Sequence, residues 1–396
     1  MEKVPIHREG RICLSDLGKF IKGRGITRAD LVQSGIPCLR YGDLYTTYGD
    51  VTDELTSFVS EDTARRATQL HHGDIIFASS GETAGEIGKS VAWLGNGTAV
   101  AGGDTIILRG HGQDPTFLAH ALNADDAVRQ KSRLGKGHSV VHIHEAELAR
   151  VSVFLPPVSE QRKIGEILRT WDEATEKLEA LRQAKTVQYR LVSQGFFDPC
   201  HPSSPGHPRT WLEVELGDLF RERIQTGNSW DTLLSITMSE GVIDRNEVDR
   251  KDTSTKDKSR YKLILRGDLG YNTMRMWQGV SGLSALRGIV SPAYTVVTPD
   301  QSKIIARYAS HLFKARRMVF DFQRYSQGLT SDTWNLKFPA FSKIRIFLPP
   351  IKLQEKQADL LDAFKDEIKC VDKEVRALKN QKRGLIQILL NGNNSR

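Results

Sequence analysis

The sequence carries one boundary twice. FLPPVSEQRKIGEIL begins at Phe154 and FLPPIKLQEKQADLL at Phe347, 193 residues later in a chain of 396. Both copies share Phe-Leu-Pro-Pro, a glutamine at the matching place (Gln161 and Gln354) and a helical pattern behind it. Weaker echoes keep nearly the same shift: Leu17-Gly18 with Leu216-Gly217, and Gly73-Asp74 with Gly267-Asp268. A repeat of this length restricts the chain to two copies of one plan. Each copy reads as a globular part of about 150 residues followed by a helical segment of about 40. Proline donates nothing to a β-ladder and restricts the residue before it, so the chain leaves a strand at Leu-Pro-Pro each time. Ser159, with Glu160 behind it, is a fitting start for the first helix.

Both helical segments carry a heptad. After Pro157 one row runs Ile164, Trp171, Leu178 and Val192, interrupted by Lys185, and a second runs Ile167, Ala174 and Leu181. After Pro350 the rows are Leu361, Ile368, Val375 and Leu389, interrupted by Lys382, and Phe364, Val371, Leu378 and Leu385. Sustained patterning of this kind argues for a coiled coil. The natural partner of each helix is the other. The expectation is an antiparallel pair, each helix about 35 residues or roughly 50 Å long, with the two globules inverted about a pseudo-two-fold axis. The expected domains are 1–155, a first globule; 156–197, a first spacer helix; 198–348, a second globule; and 349–396, a second spacer helix.

The globules read as mainly β with short helices, an α+β class. Strand-like runs include IIFASS, SVAWLG, TIILRG, SVVHIH and RVSVFL in the first, and KLILRG, DLGYN, AYTVVTP and KIRIFL in the second, punctuated by turn residues. One short helix is expected in each, at 116–123 and 303–317.

Composition narrows the function. Lys and Arg number 56 against 48 Asp and Glu, a net charge of +8 that suits a polyanion partner without demanding one. No apolar run is long enough to span a membrane, and the first residues lack the apolar core of a secretory signal. Cys13, Cys38, Cys200 and Cys370 are scattered with no CxxC spacing, which points to a reducing, cytoplasmic setting. Phosphate-loop, GxSxG, HExxH and Asn-Pro-Pro-aromatic motifs are all missing, so no catalytic site is expected. His138, His142 and His144 lack a completing carboxylate or thiol. Cys200-His201…His207 lies in the linker-like stretch DPCHPSSPGHP. No metal is expected at either place. GETAGEIGK (81–89) reads as a β-turn loop suited to approach a phosphate backbone.

These residues carry a family resemblance. LPPVSEQRKIGEIL, LPPIKLQEKQADLL, GDIIFASSGETAGEIGK (73–89), GDLGYNTMRMWQGVSG with GIVSPAYTVVTP (267–298), and GKGHSVVHIHEAELARVSVFLPP together resemble the specificity (S) subunit of Type I restriction–modification systems over nearly the whole chain. The resemblance implies two target-recognition domains, each reading half of a split double-stranded DNA site, held apart by the helices. It implies two methyltransferase subunits as partners, using S-adenosylmethionine, and a restriction motor-nuclease subunit using ATP and Mg. No cofactor is expected in this chain. The competing readings are a specificity component of a solitary methylation or other phage-defence system, a coiled-coil scaffold, and an unrecognised nuclease.

Specific reading needs side chains at base edges and phosphate contacts that fix register. Candidates in the first globule are Arg40, Tyr41, Ser79, Ser80, Lys89, Lys136 and His138. In the second they are Asn272, Arg275, Gln278, Arg324, Tyr325, Ser326 and Gln327. Trp277 and Trp334 are expected to pack rather than stack on bases. Leu168, Leu191, Phe196, Phe197, Leu360, Ile386 and Leu390 are candidates to face the methyltransferase subunits.

Overall fold

In the computed structural model, the strand ahead of each Leu-Pro-Pro pairs with the first strand of its own repeat. Residues 11–137, 139–198, 211–228, 230–247, 257–330 and 332–390 are described. The chain divides into two units, Met1–Ala180 with Lys373–Arg396, and Leu181–Asp372.

The first unit contains β1 (Arg11–Cys13), β2 (Lys19–Lys22), β3 (Ile75–Ala78), β4 (Ser90–Trp93), β5 (Thr105–Arg109) and β6 (Ser152–Phe154), helices α1 (Pro115–Asn123) and α2 (Asp125–Leu134), and the first half of α3 (Val158–Phe197). β1 and β6 are antiparallel, Arg11 facing Phe154. The main sheet runs β2-β5-β3-β4, with Val51–Thr52 at its edge. β3 is apolar throughout because both faces of the sheet are covered. Ile75 and Phe77 enter one core with Phe117, Leu118 and Ile164. Ile76 and Ala78 enter another with Leu39, Leu44 and Trp93. Asp114 caps α1 by accepting from the Phe117 N–H at 2.8 Å, and Pro115 starts the helix.

The second unit repeats this plan. It holds β7 (Leu212–Glu215), β8 (Phe220–Glu222), β9 (Leu269–Asn272), β10 (Ser281–Leu283), β11 (Tyr294–Pro299) and β12 (Arg345–Leu348). Its helices are α4 (Ala306–Leu312), α5 (Arg316–Tyr325) and the first half of α6 (Ile351–Leu390). β7 pairs with β12, and the sheet order β8-β11-β9-β10 matches that of the first unit. The single helix expected over 303–317 is two, broken at 313–315 before α5 begins.

The matching glutamines explain why the boundary repeats. Gln161 accepts from the N–H of Asp114, the residue that caps α1, at 3.0 Å, and donates to the Pro156 carbonyl at 2.8 Å. Gln354 accepts from the N–H of Ile305, which caps α4, at 3.0 Å, and donates to the Pro349 carbonyl at 2.9 Å. Each is fully buried. One amide thus ties the chain's exit from the sheet, the start of the long helix and the start of the short one. Apolar residues cannot make these bonds, and buried backbone groups left unpaired are costly.

α3 and α6 are each 40 residues long, about 60 Å. They run antiparallel in each unit. In the first, Lys382 pairs with Asp172, and Lys379 with Glu179 at 2.6 Å. In the second, Lys185 meets Glu367 at 2.8 Å, and Arg182 meets Asp372 at 3.3 Å. The two lysines that interrupt the heptads thus reach carboxylates on the facing helix. Ile164 and Leu361 are buried in the cores of their own units and Val371 and Val375 are also buried, whereas Ile167 and Leu181 of the second α3 row are exposed.

Candidate nucleic-acid interface

In each unit a loop leaves the central strand and is clasped by a hairpin that arrives from the helices. In the first unit, loop 79–89 joins β3 to β4. Lys136 and His142 exchange two backbone bonds of 2.9 and 2.8 Å, closing a hairpin, and the next residue, Ile143, donates its N–H to the Ser79 carbonyl at 2.9 Å. In the second unit, loop 273–280 joins β9 to β10. Gln327 and Asn335 exchange two bonds of 2.9 Å each, and the next residue, Leu336, donates to the Thr273 carbonyl at 2.8 Å. The hairpins turn at Gly137 (φ +125°) and Gly328 (φ +144°), a backbone open to glycine alone at low cost. Matching residues of the two sets lie 191 to 194 positions apart, against 193 for the boundary repeat.

Around these loops the candidate residues fall into two groups. In the first unit, Tyr41 is exposed on a short helix, Tyr41–Thr46, whose Tyr45 hydroxyl donates to the Ser80 carbonyl at 3.1 Å. Lys136 is exposed and meets Glu147 at 2.6 Å. Arg40 is half-buried, held on Asp43 at 2.7 Å. Ser79 gives its backbone to the clasp. Ser80 and Lys89 turn inward. Ser80 is buried with its hydroxyl 2.9 Å from His142 Nδ1, and the Lys89 ammonium donates to the Tyr48 carbonyl at 2.9 Å. Both hold the loop from within, Ser80 buried and Lys89 half-buried. His138 lies outside the described residues.

In the second unit, Arg275 and Gln278 are exposed on loop 273–280, and no carboxylate among the described residues pairs with Arg275. Asn272 is half-buried and accepts from the Met274 N–H at 3.0 Å. Gln327 is exposed at the hairpin base, and Arg324 is exposed 3.9 Å from Asp321. Tyr325 and Ser326 are half-buried, the Ser326 hydroxyl donating to the Phe322 carbonyl at 2.7 Å. Trp277 and Trp334 pack edge to face, ring centres 5.4 Å apart, and join loop to hairpin. A ring-to-ring contact of this kind holds two backbones in fixed relation.

The docking candidates also divide. Leu168 and Phe197 are buried in the cores of their own units, which removes them from any surface of the folded chain. Phe196 and Ile386 are half-buried against those same cores. Leu191 and Leu360 are exposed. The Leu390 side chain lies outside the described residues.

Behind each loop lies charge chemistry that motif reading missed. Asp74, after the first Gly-Asp echo, is buried and takes Arg109 in a two-pronged pair at 2.8 and 2.6 Å. Asp268, after the second, takes Arg223 at 2.6 and 3.0 Å. The carboxylates are at matching places; the arginines are not, one coming from β5 and the other from just past β8. The Gly-Asp echo was the available signal. Each unit also buries a histidine on its short helix. His120 Nδ1 is 2.7 Å from Asp50 and its Nε2 3.3 Å from Asp172. His311 Nε2 is 2.8 Å from Asp362, and its Nδ1 3.1 Å from the Tyr189 hydroxyl.

The family described as "Type I restriction modification DNA specificity domain" matches residues 11–187. The specificity subunit of the Type I restriction enzyme MjaVIII from Methanocaldococcus jannaschii is 21% identical over 345 residues, covering 82% of this chain and 79% of that protein. The crystal structure of a Type I restriction–modification S subunit from M. genitalium superposes with a TM-score of 0.63 at 13% identity, covering 96% of this chain and 95% of that one. A chain from a structural study of type I restriction–modification complex assembly and conformational transition gives 0.54 at 14% identity, covering 98% and 99%. Over the whole chain the protein shares the α+β, two-unit, long-helix fold of those structures.

Proposed function

We propose that the chain reads a bipartite double-stranded DNA target, one half with each unit, and carries that address to adenine methyltransferase subunits that dock on it. The observation that supports this reading is the duplicated loop-and-hairpin, with Lys136 exposed on one copy and Arg275, Gln278 and Gln327 on the other, while Tyr41 is exposed on the short helix that bonds to the first loop and Arg324 on α5 just ahead of the second hairpin. Arginine pairs with guanine edges, and glutamine or asparagine with adenine, in the major groove. The exposed lysines and arginines supply phosphate contacts that set register. The chain itself is the non-catalytic member of the complex. S-adenosylmethionine belongs to the methyltransferase partner, ATP and Mg to the motor-nuclease partner, and the complex works in the cytoplasm. Leu191 and Leu360 are the exposed apolar residues assigned to docking.

The methyltransferase extrudes each target adenine from the duplex before transfer, so the address must be fixed by the reader. The long helices act as the spacer. Modified-base sequencing of cells with and without the chain tests the reading. The expected result is adenine methylation at a split motif that disappears without the chain. Inserting seven residues in both helices is expected to change the gap and leave the half-sites unchanged. Methylation indifferent to the chain, or a gap indifferent to the insertion, contradicts it.

A further inference from the structure

Two lysines, Lys131 buried and Lys314 half-buried, hold the reading loops from behind. On α2, Lys131 is 1% exposed, and its ammonium donates to the Gly88 carbonyl at 2.6 Å. Gly88 stands at φ +72° near the end of loop 79–89. Between α4 and α5, Lys314 is half-buried and donates to the Gly279 carbonyl at 2.7 Å and to the Met238 carbonyl at 3.1 Å. Gly279 stands at φ +83° at the end of loop 273–280. It closes the turn that bears Arg275 and Gln278, its N–H bonded to the Met276 carbonyl at 2.7 Å.

The glycines fall at matching places in the repeat, but the lysines do not. One lies inside a helix and the other in the break between two. The same contact is therefore made from non-equivalent positions. Nor does the contact serve folding well. A buried ammonium is costly, and an apolar chain of similar volume commonly stabilises such a site as well or better. Burial pushes Lys131 down to about 7 and Lys314 to about 8. What the ammonium provides that methionine cannot is a directed bond to one carbonyl, which fixes the peptide that ends the loop.

We propose that Lys131 and Lys314 are positioning residues for DNA recognition, each fixing the geometry of its own unit's reading loop and so the base selectivity of one half of the target. This rests on the bipartite reading proposed above. The test uses the full chain in complex with its modification subunits, with Lys131→Met and Lys314→Met as variants and methylation of random-sequence duplex DNA as the readout. Each variant is expected to methylate the fully matched site within about threefold of the unaltered complex while losing about tenfold of base discrimination. Each loses it in one half only, and the halves differ between the two variants. A merely structural role lowers methylation at every site alike and leaves the motif intact.

Should either methionine variant fail to assemble, Gly88→Ala and Gly279→Ala disturb the same peptides from the other side. A Cβ at 88 meets Lys131 Cδ at 3.0 Å, and one at 279 meets Val319 Cγ2 at 3.0 Å. They are expected to relax the same halves. Unchanged discrimination, or equal loss in both halves, overturns the proposal. If the unaltered complex directs no split motif, the bipartite reading itself fails, which is a separate result.

Discussion

His120 and His311 occupy the same place in the two units, on the short helix against an aspartate of a long helix, and their pKa values are shifted in opposite directions. His120 loses solvation by burial, yet Asp172 and Asp50 flank it and hold its pKa above the usual histidine value. Burial also works against the Asp50 carboxylate, but His120, Lys382 and Asn123 bring it to about 2. His311 is buried with one carboxylate, Asp362, which Arg307 already occupies at 2.7 Å. Burial and the nearby Lys365 bring His311 down to about 4. Its Nε2–H donates to Asp362 and its Nδ1 accepts from Tyr189, so the neutral ring satisfies both partners. One frame thus sets a histidine among two aspartates and a lysine in one unit, and between one arginine-paired aspartate and a tyrosine in the other. Duplication conserves where a polar group is buried; the number of carboxylates around it decides its charge.

The largest effects bear on what the units share. Asp74→Ala and Asp268→Ala each leave an arginine without its buried partner. Each is expected to cost its own unit about 4 kcal/mol in urea unfolding followed by probes placed in each unit; unequal losses break the parallel between the Gly-Asp turns. Gln161→Leu and Gln354→Leu each free a buried backbone N–H, at about 3 kcal/mol. Hydrogen exchange should report faster exchange at Asp114 in the first and at Ile305 in the second.

The histidines separate the units. His311, depressed in the folded state, contributes stability that is complete above its unfolded value near 6.5 and is lost as pH falls toward 4. His120, raised, contributes stability that is complete below 6.5 and is lost as pH climbs through its folded value. Asp50 contributes above 3.8 and fails only toward 2. Moving from pH 7 to 5 should therefore weaken the second unit by about 2 kcal/mol and not the first. His311→Gln should abolish that slope, and NMR titration should place the two imidazoles on opposite sides of the usual value. The smallest effect is at the surface: Lys379→Ala removes an exposed pair with Glu179 and should cost about 0.5 kcal/mol or less.

Much of the frame was readable from residues because proline and glutamine act locally. Leu-Pro-Pro ends a strand wherever it stands, and Gln161 and Gln354 align because both bind backbone groups that the same boundary creates. The heptads were readable for the same reason, down to the interrupting Lys185 and Lys382, although their carboxylates Glu367 and Asp172 were not. What escaped depends on contacts distant in sequence. Arg109 lies on β5 and Arg223 just past β8, so no alignment of the repeats pairs them. Ser80 and Lys89 look like free polar groups in a Gly-rich loop, and only the fold shows them turned toward His142 and Tyr48. On sequence grounds Leu168 and Phe197 are as open to burial against a globule as to docking, and only the fold places both in the cores of their own units.

The central claim is that one chain holds two independent readers. Selection of bound duplexes from a random library by the assembled complex tests it most directly. The account predicts two short conserved blocks separated by a gap of fixed length and free sequence, at least one DNA turn of about 34 Å between centres. A single unbroken block, or enrichment of no sequence at all, would contradict it.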